Sequence, residues 1–377
     1  MLSTSKDKTI VGLDVEAGSI AAVEIPGNGS RELAQVAIAP LEGGLIKEGE
    51  VVDPEPLSAA LRSMFTEHKL SKSVRLGVAN QRVSVRTLRL PLIEDPAELD
   101  TAVRFQVEEQ LPMPLDQAVL DHQVVSRFSS EDGTRGMDVI AVAARREMLE
   151  TLLSSVRAAG LRPVGIDLSA FALIRALAAD PADTVAAAVP DHAASNADAG
   201  DTTPDANGSE GAHVPTVLYC NLGDVTNLAV ARGSTCLFTR ISPYGVEVIA
   251  SRLAERRSLA IGHARQWLVH VGLERPTFEV EGDPEIIAAT RETLDEGAGK
   301  LADEMRLSLD FYAAQEGVPP VESIVVAGPG STIPGLVERL QAGLGQPVST
   351  PRPNALSQLG DGAAASLTVS YGLALEE

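Results

Sequence analysis

A chain of 377 residues, 44% hydrophobic but only 3% aromatic, exceeds one ordinary core, so two lobes are expected, with helices packed on sheets through Ala, Val, Leu and Ile. A net charge of −21 repels phosphate backbones and acidic lipid headgroups, which argues against nucleic acid as a partner. Cys220 and Cys236 are the two cysteines and lack CxxC spacing; they exclude a disulfide framework, fit a reducing compartment and read as small buried apolar groups.

The opening, MLSTSKDKTIVGLDV, has one short apolar stretch broken by Asp14 and no signal-peptide pattern. Nowhere do about 18 apolar residues run together. A cytoplasmic chain without direct membrane insertion is expected, its membrane link made through a partner.

Residues 9–25, TIVGLDVEAGSIAAVEI, predict a strand, a tight turn and a second strand, with Gly12 and Gly18 giving freedom around Asp14. A helix is expected over 56–68, then two β-rich runs, VRLGVA and VSVRTLRLP. At Asp95, DPAE combines a capping residue, a Pro at the first helical position and a Glu three residues on. Leu99, Val103, Val107 and Leu111 give that helix one apolar face, ended by Pro112 and Pro114. Strands around VLDHQVVS and DVIAVAA follow, and a helix over 146–159 stops at Gly160.

Residues 180–213 are mostly Ala, Asp, Ser, Gly and Thr, with almost no large apolar residue and no Lys or Arg, a composition that cannot repay the entropy of ordering; a disordered acidic linker is expected. After it, VPTVLYCNLGDVTNLAVARGSTCLFTRI resumes a β pattern resembling the first hairpin, which suggests a loose internal duplication. Helices are expected over 246–271, 284–312, 334–343 and 363–375, with the strand VESIVVAG among them. Alternating strands and helices make the class mixed α/β.

The turn GPGSTIPG lies between a strand and a helix, but Ile333 stands where a third dinucleotide-binding Gly belongs. EGAGKLADE lacks the Ser or Thr and the leading Gly of a phosphate loop, and the six histidines complete no metal pattern. What remains is three turns, each after an apolar strand: GLDVEAGS, GDVTN at residues 223–227 and AGPGS at 327–331. Two facing hairpin turns can hold phosphates, and a third glycine turn leaves room for a base and sugar.

In this order the turns resemble the first phosphate, second phosphate and adenosine motifs of the actin, sugar kinase and Hsp70 superfamily. The segments GEVVDPEPLSAALRSMF, VSVRTLRLP, FQVEEQLPMPLDQAVLDHQVV, AARREMLETLLSSVRAAGLRPVGIDLSAFALIRAL and LDFYAAQEGVPPVESIVVAGPGSTIPGL resemble, in order, the PilM family of type IV pilus assembly proteins. The resemblance implies an actin-like (ribonuclease H-like) two-lobed fold with a small subdomain of the kind found in FtsA. Residues 1–83 and 161–179 would then form the first lobe, 84–160 the small subdomain, 214–350 the second lobe, and 351–377 a segment packing back on the first.

The family implies an adaptor that binds ATP or ADP with Mg2+ and the cytoplasmic N-terminal tail of the inner-membrane protein PilN. It also implies recruitment to the membrane's inner face, with the pilus motor ATPase, the platform protein and self-association as further contacts. By position, Asp14 would organise the metal near the phosphates, with Gly12, Gly18 and Ser19 shaping the turn, while Gly223, Asp224, Thr226 and Asn227 face them and Gly328 and Gly330 lie against adenosine. The chain departs from the pattern at Glu16, a carboxylate where phosphate would sit, and at Ala21, where many members have a cation. It departs again at Cys220 or Asn221, where an Asp is expected, and at Pro329. These departures weaken the case for hydrolysis and leave an adaptor with a degenerate cleft beside two alternatives: an active ATPase or small-molecule kinase, and an FtsA-like division or cell-shape filament.

Overall fold

The computed structural model describes residues 9–27, 31–129, 133–178, 184–185, 213–315 and 317–375. Its first lobe opens with β1 (Ile10–Val15), β2 (Ser19–Ile25) and β3 (Gln35–Pro40), an antiparallel meander. A two-residue pair, β4 (Ile46–Lys47) and β5 (Glu50–Val51), leads into α1 (Pro54–Glu67). That helix starts two residues before the expected Pro56, because Asp53 accepts the Glu55 amide and Pro54 takes the first helical position. Strand β6 (Ser73–Val78) then pairs parallel with β1.

Next comes a separate three-stranded sheet. Strand β7 (Val83–Pro91), helix α2 (Pro96–Glu108), β8 (Ala118–Ser129) and β9 (Arg135–Arg145) build it, with β9 in the centre. Asp95 accepts from the Ala97 and Glu98 amides, so the cap forms as its sequence suggests. Leu99, Val103 and Val107 are buried against Leu88, Met137 and Val139. The helix ends at Glu108, ahead of the prolines, which leaves Leu111 beyond it and half-buried.

Helix α3 (Arg146–Ala158) does not stay with this small sheet: Val156 lies in one core with Leu57 and Leu61 of α1. Strand β10 (Arg162–Leu168) completes the first large sheet, in the order β10-β6-β1-β2-β3, and α4 (Ser169–Leu177) follows. The expected acidic linker falls almost wholly outside the described residues; within it, β11 (Thr184–Val185) is paired with residues 352–353.

The second lobe repeats the first lobe's order. Strands β12 (Thr216–Leu222), β13 (Thr226–Arg232) and β14 (Thr235–Ser242) form a meander, followed by α5 (Val246–Arg257), α6 (Ile261–Val271) and the long α7 (Pro284–Ala313). A left-handed Ser258 splits the single helical run expected over 246–271. Strand β15 (Ser323–Ala327) pairs parallel with β12; α8 (Leu336–Leu344) and β16 (Val348–Ser349) come next, then β17 (Arg352–Pro353) and α9 (Asp361–Ala374). The order β14-β13-β12-β15-β16 matches the first sheet strand for strand, which gives the suspected duplication a structural form.

Helices α4 and α9 cross at the centre of the molecule. One apolar cluster joins Ala21, Val23 and Ile25 of the first lobe, Leu173 and Leu367 of these helices, and Tyr219 and Ala229 of the second lobe. The crossing is close because a Cβ on Gly372 would strike the Ala172 carbonyl, and one on Gly12 the Ser370 carbonyl. Gly372→Ala should therefore destabilise the protein by about 1–3 kcal/mol. Gly362→Ala, in open space on the same helix, should be neutral or slightly stabilising; urea unfolding midpoints compare the two.

Candidate functional site

The turns after β1 and β12 meet between the lobes. The Ala17 amide donates to Asp224 Oδ2 at 3.1 Å, and Asn221 Nδ2 donates to Glu16 Oε1 at 3.4 Å. Arg265 of α6 donates to the Ala17 carbonyl at 3.1 Å and forks onto both Glu247 oxygens at 2.7 and 2.8 Å. The lobes are thus laced together across the cleft by backbone, carboxylate and guanidinium.

Three carboxyl groups converge there. Burial, then the charge of Asp224, pushes Asp14 from 3.8 up to about 7. Burial, then Asp224 and Asp14, raises Glu16 well above its usual range. Asp224 is raised by burial too, against the pull of the Val225 and Ala17 amides.

The candidate residues separate in space. Asp14, Gly223 and Asp224 come together, with Gly18 at the rim, where a Cβ would lie 3.1 Å from Arg265 Cζ. Ser19 closes the turn, its carbonyl accepting the Glu16 amide at 2.9 Å. Gly12 instead serves the contact with α9. Thr226 turns into the core and donates to the Tyr244 carbonyl at 2.7 Å, whereas Asn227 lines a different cavity. Gly328, at φ +85°, leaves room for Asn221 Oδ1, and Gly330 lies against Leu222 and Val246.

Sequence reasoning missed Arg265, Glu247 and Ser169. No local pattern marks them, since Arg265 reaches Ala17 across 248 positions. Ala21 indeed carries no cation, but Arg265 brings one to the first turn from the other lobe.

ATP or ADP with Mg2+ does not fit this arrangement. The enclosed space among Asp14, Glu16, Gly77, Ser169 and Asn221 is about 40 Å³, room for about three waters. Glu16 fills the place beside Gly223 where a side chain would otherwise point, and Leu222 and Val246 close the third turn.

A second concavity runs between the outer edges of β7 and β14. One section, about 380 Å³, is lined by Val83, Ser84, Arg86, Pro112, Leu168 and Asn227. The other, about 670 Å³, is walled by Val85, Ile140, Phe238, Leu307 and Phe311. Arg86 and Arg240 line both sections.

The cleft has a pH signature. The folded protein holds the carboxyl protons more tightly than the unfolded chain, so this cluster's contribution to stability falls as pH rises from about 4 to about 7. Asp14→Asn and Glu16→Gln should each reduce the loss of melting temperature between pH 5 and pH 8 by several degrees; a loss equal to the wild type's would contradict the burial of charge described above.

The family model of type IV pilus assembly protein PilM matches residues 12–199. A solved PilM-PilN type IV pilus biogenesis complex aligns with a TM-score of 0.76 and 24% identity, over 97% of this chain and 97% of that one. MreB5 of Spiroplasma citri bound to ADP aligns with a TM-score of 0.50 and 12% identity, over 98% and 95% of the two chains. These structural likenesses give the actin-like, two-lobed fold that the three turns imply. Over residues 12–199 the chain matches the PilM family of type IV pilus assembly proteins.

Proposed function

We propose that this chain is an adaptor of the type IV pilus machinery that binds the extended N-terminal tail of a PilN-like inner-membrane protein in the groove beside the small sheet. The observation that carries this reading is the groove itself, an open channel flanked by two strand edges and apolar walls. A peptide laid along a strand edge gains main-chain hydrogen bonds for affinity and side-chain pockets for specificity. The match over residues 12–199 covers the small sheet and supports the pathway.

Location follows from the partner. Among the described residues no helix is long and apolar enough to cross a membrane, and the proposal places the chain at the cytoplasmic face, held there through the PilN-like protein. Contacts with a motor ATPase, a platform protein or a second copy rest on the family resemblance alone.

The kinase and ATPase alternatives need free donors and a metal at the facing turns, where charge develops during phosphoryl transfer. Here Asp224 occupies the Ala17 amide, and Glu247 engages the Arg265 guanidinium that reaches this turn. The cleft is accordingly proposed as an inter-lobe lock rather than a reaction centre.

Calorimetric titration with the tail peptide of the PilN-like protein from the same genome should show one site with a micromolar Kd, about −8 kcal/mol. ATP or ADP with Mg2+ should give no saturable heat under the same conditions. Absence of peptide binding at several hundred micromolar sinks the adaptor reading, and tight nucleotide binding with steady phosphate release replaces it with the enzyme.

A further inference from the structure

One side chain bridges the turns that face each other across the cleft. The Glu16 amide donates to the Ser19 carbonyl at 2.9 Å and closes the turn between β1 and β2, which fixes the backbone from which the side chain reaches the second lobe. There its carboxyl lies against the bare face of Gly223: a Cβ on that glycine would strike Glu16 Oε1 and stand 2.8 Å from Cδ and 3.1 Å from Oε2. Asn221, 5% exposed, donates from Nδ2 to Glu16 Oε1 at 3.4 Å, and its Oδ1 lies where a Cβ on Gly328 would point. The three glycine turns thus meet through one carboxyl and one amide.

Glu16 leaves too little space for a second occupant. About 40 Å³ remains among Asp14, Glu16, Ser169, Asn221 and Asp224, room for about three waters. Ser169 Oγ and Asn221 Oδ1, on residues 3% and 5% exposed, have no partner among the described residues, and the size and polarity of the space suit water rather than an anion. Turns with free amides bind anions, but here Asp224 Oδ2 takes the Ala17 amide at 3.1 Å. Asp14 and Asp224 line the same space, so an entering anion would meet further acid groups.

Resting on the reading of the cleft as an inter-lobe lock, we infer that Glu16 is a built-in occupant of the space between the facing turns. The chain's own carboxyl, seated on Gly223 and Asn221, takes the place that a bound anion such as a nucleotide phosphate would fill. The closed arrangement is then independent of ligand, and position 223 is glycine because Glu16 rests on it. Asp224 and Arg265 hold the next residue, Ala17, by its amide and its carbonyl, at 3.1 Å each, and so keep the Glu16 carboxyl in its seat.

Hydrogen exchange on the full chain tests this, read in peptides spanning residues 13–19 and 222–226. Glu16→Ala should speed exchange there about tenfold or more, because it removes a bridging contact and leaves Asn221 Nδ2 buried without a partner. Glu16→Gln keeps the shape and can still accept from Asn221, and should exchange as the wild type does. Gly223→Ala should match Glu16→Ala, since the added methyl expels the carboxyl. The double variant should exceed neither single change, the mark of two residues that act through one contact. Unchanged exchange in β2 and β13 reports that each variant is folded. Wild-type exchange in Glu16→Ala, or additive effects of the two alanine changes, overturns the role of Glu16 and leaves the lock standing. Independently of any variant, ADP with Mg2+ should leave wild-type exchange in both peptides unchanged; slower exchange on its addition overturns the lock and the inference together.

Discussion

The crossing of α4 and α9 is the contact on which the rest of the molecule depends. Gly372 lets α9 lie directly on the Ala172 carbonyl, and Gly12 lets β1 lie directly on α9. Without that approach the apolar cluster from Val23 through Leu367 to Tyr219 would divide in two. Each lobe is a five-stranded sheet in the same strand order, but one continuous core holds both, and packed cores pass strain rather than absorb it. The hinge side of the cleft is therefore stiff, and the two hairpin turns at its mouth are held at a distance that their own side chains span.

That distance decides the chemistry of the turns. Across a wider gap the Ala17 amide and its neighbours would be free anion donors. At this spacing Asp224 reaches Ala17, and Glu16 reaches Asn221. Gathering Asp14, Glu16 and Asp224 in one buried place is costly while all three are ionised, and the raised carboxyls relieve the cost by keeping protons. Arg265 offsets part of the remaining charge, and Glu247 fixes where its guanidinium points.

Much of the fold was legible because its signals are local. Glycine turns after apolar strands mark the two hairpins, and Asp95 with Pro96 marks α2. The assignment of α3 was not legible, since its apolar face suits either neighbour and only the tertiary packing of Val156 on Leu61 decides. At the candidate site, adjacent Thr226 and Asn227 were both expected to face phosphate, yet neighbours on a strand point to opposite sides. Thr226 bonds within its own lobe and Asn227 looks into the groove. Gly328 and Gly330 were read as space for adenosine, but glycine is equally required where one turn lies on another strand, here on Asn221 and Leu222. A glycine motif records a close approach without saying what approaches.

Charge pairing, more than unpaired polar atoms, distinguishes the two concavities. At the cleft the charged groups answer one another, Arg265 with Glu247, the Ala17 amide with Asp224 and Asn221 Nδ2 with Glu16, while Asn221 Oδ1 and Ser169 Oγ are buried without partners among the described residues. In the groove, among the described residues, Asn227 and Ser84 are buried without partners, Arg86 has no carboxylate, and two strand edges stand open. Buried polar groups are retained in a fold when something satisfies them, and an extended chain can reach all of this set at once. The set needs alternating donors and acceptors along a line, with side chains projecting to either hand, which is the chemistry of an extended polypeptide.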